Sequence, residues 1–567
     1  MFQFSLLSVL TLFLATLGGH AFRNPIIPGF NPDPTILSVG DDYFISTSTF
    51  EFFPGHPIYH SKDLVNWKLI GHALNRPSQI PLYGFAPEGG IWAPTLRHYN
   101  GTFYLFTTNR NAYSGELREQ SRGFFVTTKD IFSNYWSEPV YLDAMGYDSD
   151  IYIENGTAWV SRPDFNDPID QVYGIYQTKV DLKTGRSLTT DNLIFNGTLP
   201  LNSSSRPEGP HIYKKDGTYY LLIAEGGTHL THRSTIQRGP SPSGPWESYA
   251  GNPLVYNGAN PDPVTQPVQF TGHSDFAQTP SGDWWGVCLG VRPQGGNINR
   301  TQLGRETFLF PVTWSDGWPT FNHNKSIGLV GPGLFNLSDP LKATSWYDDF
   351  SGHKLDEGYY YLRTPYSPFH ALVRSGKKSL LRIWGSAVAL GNRDTPSVLL
   401  RKQTALNQVF ETTVDFEPET AREEAGATIF YSDFYHDEIF VSGCPNATTP
   451  ARCVVHRSIY PNNATGTHVV ANFTVITEDA FPIAAKGPVK LTIQGEALRY
   501  NFGYAVGSDN TTWVGSIDSV WLVTPPPNYS IYKGTHFGLY ATGGNKPMGG
   551  KVADFHYWNQ RTYAPDY

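Results

Sequence analysis

Up to about Phe335 the polar and apolar positions recur at a period of roughly 55–65 residues, longer than most propeller repeats but of that kind. Each unit opens on a polar turn and runs into an aromatic strand. The five instances are Gly40-Asp41-Asp42-Tyr43-Phe44, Asn100-Gly101-Thr102-Phe103-Tyr104, Asn155-Gly156-Thr157-Ala158-Trp159, Asp216-Gly217-Thr218-Tyr219-Tyr220 and Ser281-Gly282-Asp283-Trp284-Trp285. Asn-Gly or Asp-Gly between apolar runs is a strong hairpin signal, because both residues accept the left-handed backbone that a two-residue turn demands. A second element recurs as Ser61-Lys62-Asp63-Leu64-Val65-Asn66-Trp67, as Thr128-Lys129-Asp130-Ile131 leading to Trp136, and more loosely as Ser243-Gly244-Pro245-Trp246. Five such units without a convincing amphipathic helix predict an all-β fold, a five-bladed β-propeller over residues 22–340. The competing architecture is one large β-sandwich in which the turn repeat is accidental.

From Tyr347 onward the turn-aromatic period stops and alternating strands take over, such as Leu380-Leu381-Arg382-Ile383-Trp384 and Val489-Lys490-Leu491-Thr492-Ile493. This pattern predicts a jelly-roll β-sandwich over residues 345–567, with the boundary near Asp339-Pro340 to Ser345-Trp346.

Composition narrows the function classes. A net charge of −8 with only 16% charged residues excludes the basic footprint of a nucleic-acid binder. Aromatics reach 14%, which suits both strands and stacking on sugar rings. Met1 to Ala21 reads as a signal peptide: its apolar run Leu6 to Leu17 is too short to span a bilayer, and Gly19-His20-Ala21 offers small residues for cleavage. No later segment reads as a membrane span. Twelve Asn-x-Ser/Thr sequons, from Asn100 to Asn528, agree with a secreted, extracellular protein. Cys444 and Cys453 bracket a short loop that a disulfide could close, and Cys288 reads as a buried free thiol.

Three acidic segments sit in rigid Pro/Gly-framed turns: Asn31-Pro32-Asp33-Pro34, Gly146-Tyr147-Asp148-Ser149 and Arg206-Pro207-Glu208-Gly209-Pro210-His211. Hydrolysis of a glycosidic bond needs two carboxyl groups in different protonation states, one to give a proton and one to activate water or attack carbon. Innermost strands of different blades would bring such remote carboxyls to one funnel. No zinc spacing, nucleotide loop or serine elbow competes; Ala224-Glu225-Gly226-Gly227-Thr228 lacks the Lys-Ser/Thr of a phosphate cradle.

These strings resemble glycoside hydrolase family 43, and within it the β-xylosidase/α-L-arabinofuranosidase group that carries a C-terminal sandwich. The likeness extends to Ser48-Thr49-Phe50-Glu51-Phe52-Phe53-Pro54-Gly55, Gly90-Ile91-Trp92-Ala93-Pro94, Thr271-Gly272-His273-Ser274-Asp275 and Gly304-Arg305-Glu306-Thr307. The resemblance implies hydrolysis with inversion, Asp33 as general base, Glu208 as general acid, and Asp148 as a third carboxylate that orients the acid and raises its pKa. Asp148-Ser149-Asp150 departs from the family string, so Asp150 stands as a turn cap or as the modulator itself. Arg305 matches a pocket arginine, against the alternative of a structural pair with Glu306 or Asp275; Phe50 and Trp92 match the walls of the sugar pocket, against the alternative of ordinary propeller core. His273 matches a histidine near the propeller axis that in some relatives approaches a calcium ion. No cofactor or essential metal is expected, and a structural calcium near His273 is left open. The implied substrates are xylo-oligosaccharides or arabinoxylan fragments, cleaved by an exo-β-1,4-xylosidase or by an α-L-arabinofuranosidase. A sandwich loop, Tyr431 to His436, is a candidate for closing the pocket.

Overall fold

The computed structural model describes residues 21–111, 120–167, 169–332, 345–445, 451–461, 474–523, 532–564 and 566. The expected signal peptide, apart from Ala21, lies outside the described residues, as does most of the expected domain boundary.

Five antiparallel blades follow one another along the chain, four of them four-stranded and the second five-stranded because Gly90–Ile91 adds a short strand. Their first strands are Thr35–Val39, Thr95–Tyr99, Asp150–Glu154, Glu208–Lys215 and Gln269–Gln278, for blades I to V. Each first strand contacts the first strands of the two neighbouring blades, which closes the ring around an axis. All five predicted turns join the first and second strands of a blade. In blades II, III and IV they are two-residue turns, and Asn100-Gly101, Asn155-Gly156 and Asp216-Gly217 all take positive φ. Asn, Asp and Gly tolerate that backbone with little steric cost, so the sequence signal and the geometry have one cause. The second repeat joins strands three and four in blades I, II and IV. Its aspartate caps the loop: Asp63 Oδ1 accepts from the amides of Val65 and Asn66, and Asp130 Oδ1 from that of Phe132.

The axis itself is polar. Arg97, on the first strand of blade II, donates to Asp150 Oδ1 of blade III at 3.0 Å and to Asp275 Oδ2 of blade V at 3.1 Å. Asp275 also accepts from Thr35 Oγ1 of blade I at 2.7 Å and from the Tyr213 hydroxyl of blade IV at 2.5 Å. Every blade therefore contributes to one buried network, in which the guanidinium offsets the cost of burying two carboxylates.

The second domain is a β-sandwich of a nine-stranded and an eight-stranded sheet around a large apolar core that includes Leu381, Phe410, Ile439 and Trp558. Its eight-stranded sheet does not end within the domain. Phe52–Phe53, from a loop of blade I, pairs with Tyr360–Leu362 and so becomes the edge strand. Phe30, Phe50 and Phe52 of the propeller share a buried cluster with Tyr360, Leu400, Phe430 and Tyr540 of the sandwich. Cys444 and Cys453 form the disulfide, and Cys288 is a buried free thiol in blade V. Among the described residues no helix is long and apolar enough to cross a membrane.

Candidate active site

The sequence-derived site residues gather at one end of the propeller axis, where the first strands of the blades begin. Asp33 lies two residues before Thr35–Val39, Asp148 two residues before Asp150–Glu154, and Glu208 is the first residue of its strand. Trp92 leads into the first strand of blade II, His273 lies within that of blade V, and Arg305 precedes the third strand of blade V. Asp33, Phe50, Asp148 and His273 all have positive φ, a backbone that costs non-glycine residues energy and concentrates at functional sites.

Asp33 is a buried carboxylate with both oxygens engaged. Arg305 Nη1 donates to Oδ1 at 3.0 Å and Ser48 Oγ donates to Oδ2 at 2.6 Å, while His273 Nδ1 stands 3.6 Å from Oδ1. Burial pushes its pKa up, but Arg305, His273 and the Ser48 hydroxyl together outweigh burial and hold it below the ordinary carboxylate value. Burial drives His273 down to about 4, so near neutral pH its ring is uncharged.

Asp148 and Glu208 behave in the opposite way. Burial raises the pKa of Asp148 well above its ordinary value, and the negative charges of Glu208 and Asp33 add to that. Burial also raises Glu208; Arg206 opposes and Asp33 reinforces the rise. The Gly209 amide donates to Asp148, and the Tyr147 hydroxyl donates to Glu208 Oε2 at 3.3 Å, so residues adjacent to each carboxyl hold the other. The two titrate as a pair that retains a proton above the range of isolated carboxyls. Glu208 is part-exposed, whereas Asp148 is 6% exposed.

A file of aromatic rings flanks the carboxyls. Phe50 meets Trp92 edge to face at 6.1 Å, Trp92 meets Tyr147 at 5.6 Å, and Tyr147 meets Tyr173 at 5.8 Å. The Arg110 guanidinium lies 3.8 Å over Trp92 and that of Arg206 lies 5.3 Å over Tyr173, both within cation–π range. These rings and guanidinium groups pack into one wall beside the carboxyls.

The structure separates the alternatives left by the sequence. Asp150 belongs to the axial network, where it faces Arg97 and accepts the Ile212 amide, and not to the Asp148–Glu208 pair. Arg305 pairs with Asp33, while Glu306 is bound by Arg292 and Asp275 by Arg97. Among the described residues no group of three or more His, Cys, Asp or Glu is arranged to hold a metal ion. His273 Nδ1 faces the Asp33 carboxylate that Arg305 also holds.

Several contributors carry no sequence signal of their own. Tyr147 and Arg206 flank the acidic strings and were legible only as neighbours. The sandwich contributes a strap that no local pattern announces: the Tyr532 carbonyl accepts from Arg305 Nε at 3.2 Å, its hydroxyl meets His229 Nε2 at 2.9 Å, and Lys533 forms a fully buried ion pair with Glu51. Gly304 makes this approach feasible; its φ is +72°, and a Cβ there would come within 2.6 Å of the Gly534 nitrogen. The candidate loop Tyr431 to His436 also reaches this side: Tyr431 is buried in the field of Glu88, Arg305 and Glu51, and Asp433 pairs with Arg363 at 2.7 Å.

Residues 22–319 match the family model described as glycosyl hydrolases family 43, and residues 347–561 match the beta xylosidase C-terminal concanavalin A-like domain. The chain is 40% identical to the non-reducing end alpha-L-arabinofuranosidase BoGH43B of Bacteroides ovatus, over 77% of this chain and 79% of that protein. It is 30% identical to xylosidase/arabinosidase 43B of Humicola insolens, over 94% of this chain and 96% of that protein. Among solved structures, the xylan beta-1,4-xylosidase from Bacillus halodurans superposes with a TM-score of 0.84 at 29% identity, covering 95% of this chain and 100% of that one.

Proposed function

We propose that this chain, which belongs to glycosyl hydrolase family 43, is a secreted, inverting exo-β-1,4-xylosidase that releases xylose from the non-reducing ends of xylo-oligosaccharides. That it is a glycoside hydrolase follows from the family. The single observation that carries the acid–base reading is the convergence of three carboxyls, with Asp33 held low by Arg305 and Ser48 and the Asp148–Glu208 pair held high by burial. Between the lowered and the raised pKa such a site offers one carboxylate and one carboxylic acid, as acid–base hydrolysis requires.

In this reading Asp33 is the general base. Ser48 and Arg305 fix its carboxylate so that it takes a proton from water as that water attacks the anomeric carbon. Glu208, the more exposed of the other two, protonates the leaving oxygen. Asp148 accepts the Gly209 amide and so holds the backbone beside Glu208, and the pair together keeps a proton above the ordinary carboxyl range. Inversion needs the base and the acid on opposite faces of the sugar, about 6.5–9.5 Å apart. Phe50, Trp92, Tyr147 and Tyr173 would bind the ring faces, and Arg305 a hydroxyl. The Tyr532 strap joins the site from the sandwich side through Arg305 and His229, and this supports attack on chain ends.

Export is supported by the Leu6 to Leu17 run, by the Cys444–Cys453 bridge, and by the exposure of the sequon asparagines Asn100, Asn155, Asn202, Asn299, Asn324 and Asn510. A second reading, α-L-arabinofuranosidase activity on arabinoxylan fragments, is favoured by the 40% identity to an enzyme named for that activity. The deciding experiment is kcat/KM on aryl β-D-xylopyranoside and aryl α-L-arabinofuranoside side by side. Preference for the xyloside supports the leading reading, and preference for the arabinofuranoside replaces it with the second. Hydrolysis of neither rejects both.

A further inference from the structure

Glu88 is a buried carboxyl that the proposed reaction leaves unused. Its φ of +66° marks a backbone held against its preference. Its amide donates to Glu51 Oε2 at 3.0 Å, its carbonyl accepts from Trp92 Nε1 at 2.8 Å, and its Oε1 accepts the amide of Tyr532. One residue thus ties blade I, the aromatic wall and the sandwich together. The strap it grips continues through Lys533, paired with Glu51, to Thr535, whose amide donates to the Gln302 carbonyl at 2.8 Å. Between these anchors the Tyr532 carbonyl accepts from Arg305 Nε at 3.2 Å, and Arg305 Nη1 donates to Asp33 at 3.0 Å.

We propose that Glu88 is a positioning residue of the hydrolytic centre: it fastens the sandwich strap at Tyr532, and the strap's carbonyl holds the Arg305 guanidinium against Asp33. The inference rests on Asp33 being the base. A guanidinium is a planar fork, so a partner on Nε sets the direction in which Nη1 points. Loss of the Tyr532 carbonyl from its place frees that plane to turn, and Asp33 then loses the cation that most opposes its burial. The groups facing Glu88 are Glu51 and Asp33 of blade I, Arg305 beside blade V, and Lys533, Tyr532 and Tyr431 of the sandwich. Burial pushes the Glu88 pKa up to about 8, so the carboxyl is neutral over the acid range. Accepting an amide needs only a carbonyl oxygen, which glutamine also supplies.

The test uses the full chain carrying Glu88→Ala or Glu88→Gln. The pH profile of kcat/KM is measured on whichever aryl glycoside the wild type cleaves, with hydrogen exchange of the peptide spanning Tyr532 to Gly534. Glu88→Ala is expected to move the acid limb to higher pH, to lower kcat/KM on the order of ten- to hundred-fold, and to speed exchange at the strap. Glu88→Gln is expected to recover most of each change. An acid limb in Glu88→Ala that coincides with wild type, at unchanged melting temperature, overturns the proposal. If the alanine variant does not fold, strap exchange in Glu88→Gln as slow as in wild type, with the acid limb in place, supports it; faster exchange with that limb unmoved overturns it. A wild type inactive on both glycosides defeats the functional reading itself. Wild-type activity with an unmoved Glu88→Ala profile defeats only the role of Glu88.

Discussion

Arg305 and Asp33 are 272 positions apart in sequence and 3.0 Å apart in space, joined by a hydrogen bond from Nη1 to Oδ1. The pair closes the ring functionally as well as structurally, because it brings a residue beside blade V to the carboxylate that opens blade I. It also decides protonation, since Arg305 is the strongest force opposing the burial of Asp33.

Replacing Asp33 by Asn or Glu208 by Gln removes one half of the proposed acid–base couple while preserving shape. Each variant should lower kcat by about 10²–10⁴-fold, while binding of a xylo-oligosaccharide, read by calorimetry, survives. Turnover within a few-fold of wild type in either variant would refute that residue's role.

The pH dependence follows from the opposed shifts. The base works only when ionised, so kcat/KM falls as pH drops through the lowered pKa of Asp33. The acid works only when protonated, so the rate falls as pH rises through the raised pKa of the Asp148–Glu208 pair. Asp148→Asn removes the neighbouring charge, and Glu208 then ionises more easily. Its alkaline limb should therefore move to lower pH, which a pH–rate series on the variant reads directly.

Ser48→Ala deletes a 2.6 Å hydrogen bond to the ionised Asp33. The protonated form of Asp33 gains relative to the carboxylate, so the acid limb should shift upward in pH with the alkaline limb unmoved. An acid limb that stays in place would show that Ser48 does not tune the base.

Asp150→Asn separates the two neighbouring acids. Asp150 bonds Arg97 and the Ile212 amide in the axial network, and breaking a buried pair costs about 3–5 kcal/mol. Thermal unfolding should show a lowered midpoint, while both limbs of the pH–rate profile stay where they are in wild type.

The Glu51–Lys533 pair, with both side chains fully buried, should carry a similar penalty. Lys533→Met strands a carboxylate at the domain interface, for about 3–5 kcal/mol of lost stability. Differential scanning calorimetry should show the midpoint fall, and a midpoint equal to wild type would mean that Glu51 is stabilised without Lys533.

The blades were legible because their signals are local: a two-residue turn selects Asn-Gly or Asp-Gly from its own backbone geometry, and an aspartate caps its own loop two or three residues on. Asp33, Asp148 and Glu208 were legible because each lies in a Pro/Gly-framed acidic string that resembles family 43, and the structure places each just before or at the start of a first strand. The sequence by itself thus determined the all-β repeat, the change of pattern near residue 345 and the acidic strings. Only the tertiary structure decided what surrounds each acid. Asp148 and Asp150 look alike in sequence, and they part because Asp148 precedes the strand in a left-handed backbone, φ +43°, and meets Glu208, whereas Asp150 opens the strand and faces Arg97. The Phe52–Phe53 edge strand and the Glu88–Tyr532–Arg305 chain of contacts are likewise tertiary: their partners lie hundreds of residues apart, and contacts across that distance leave no periodicity to read.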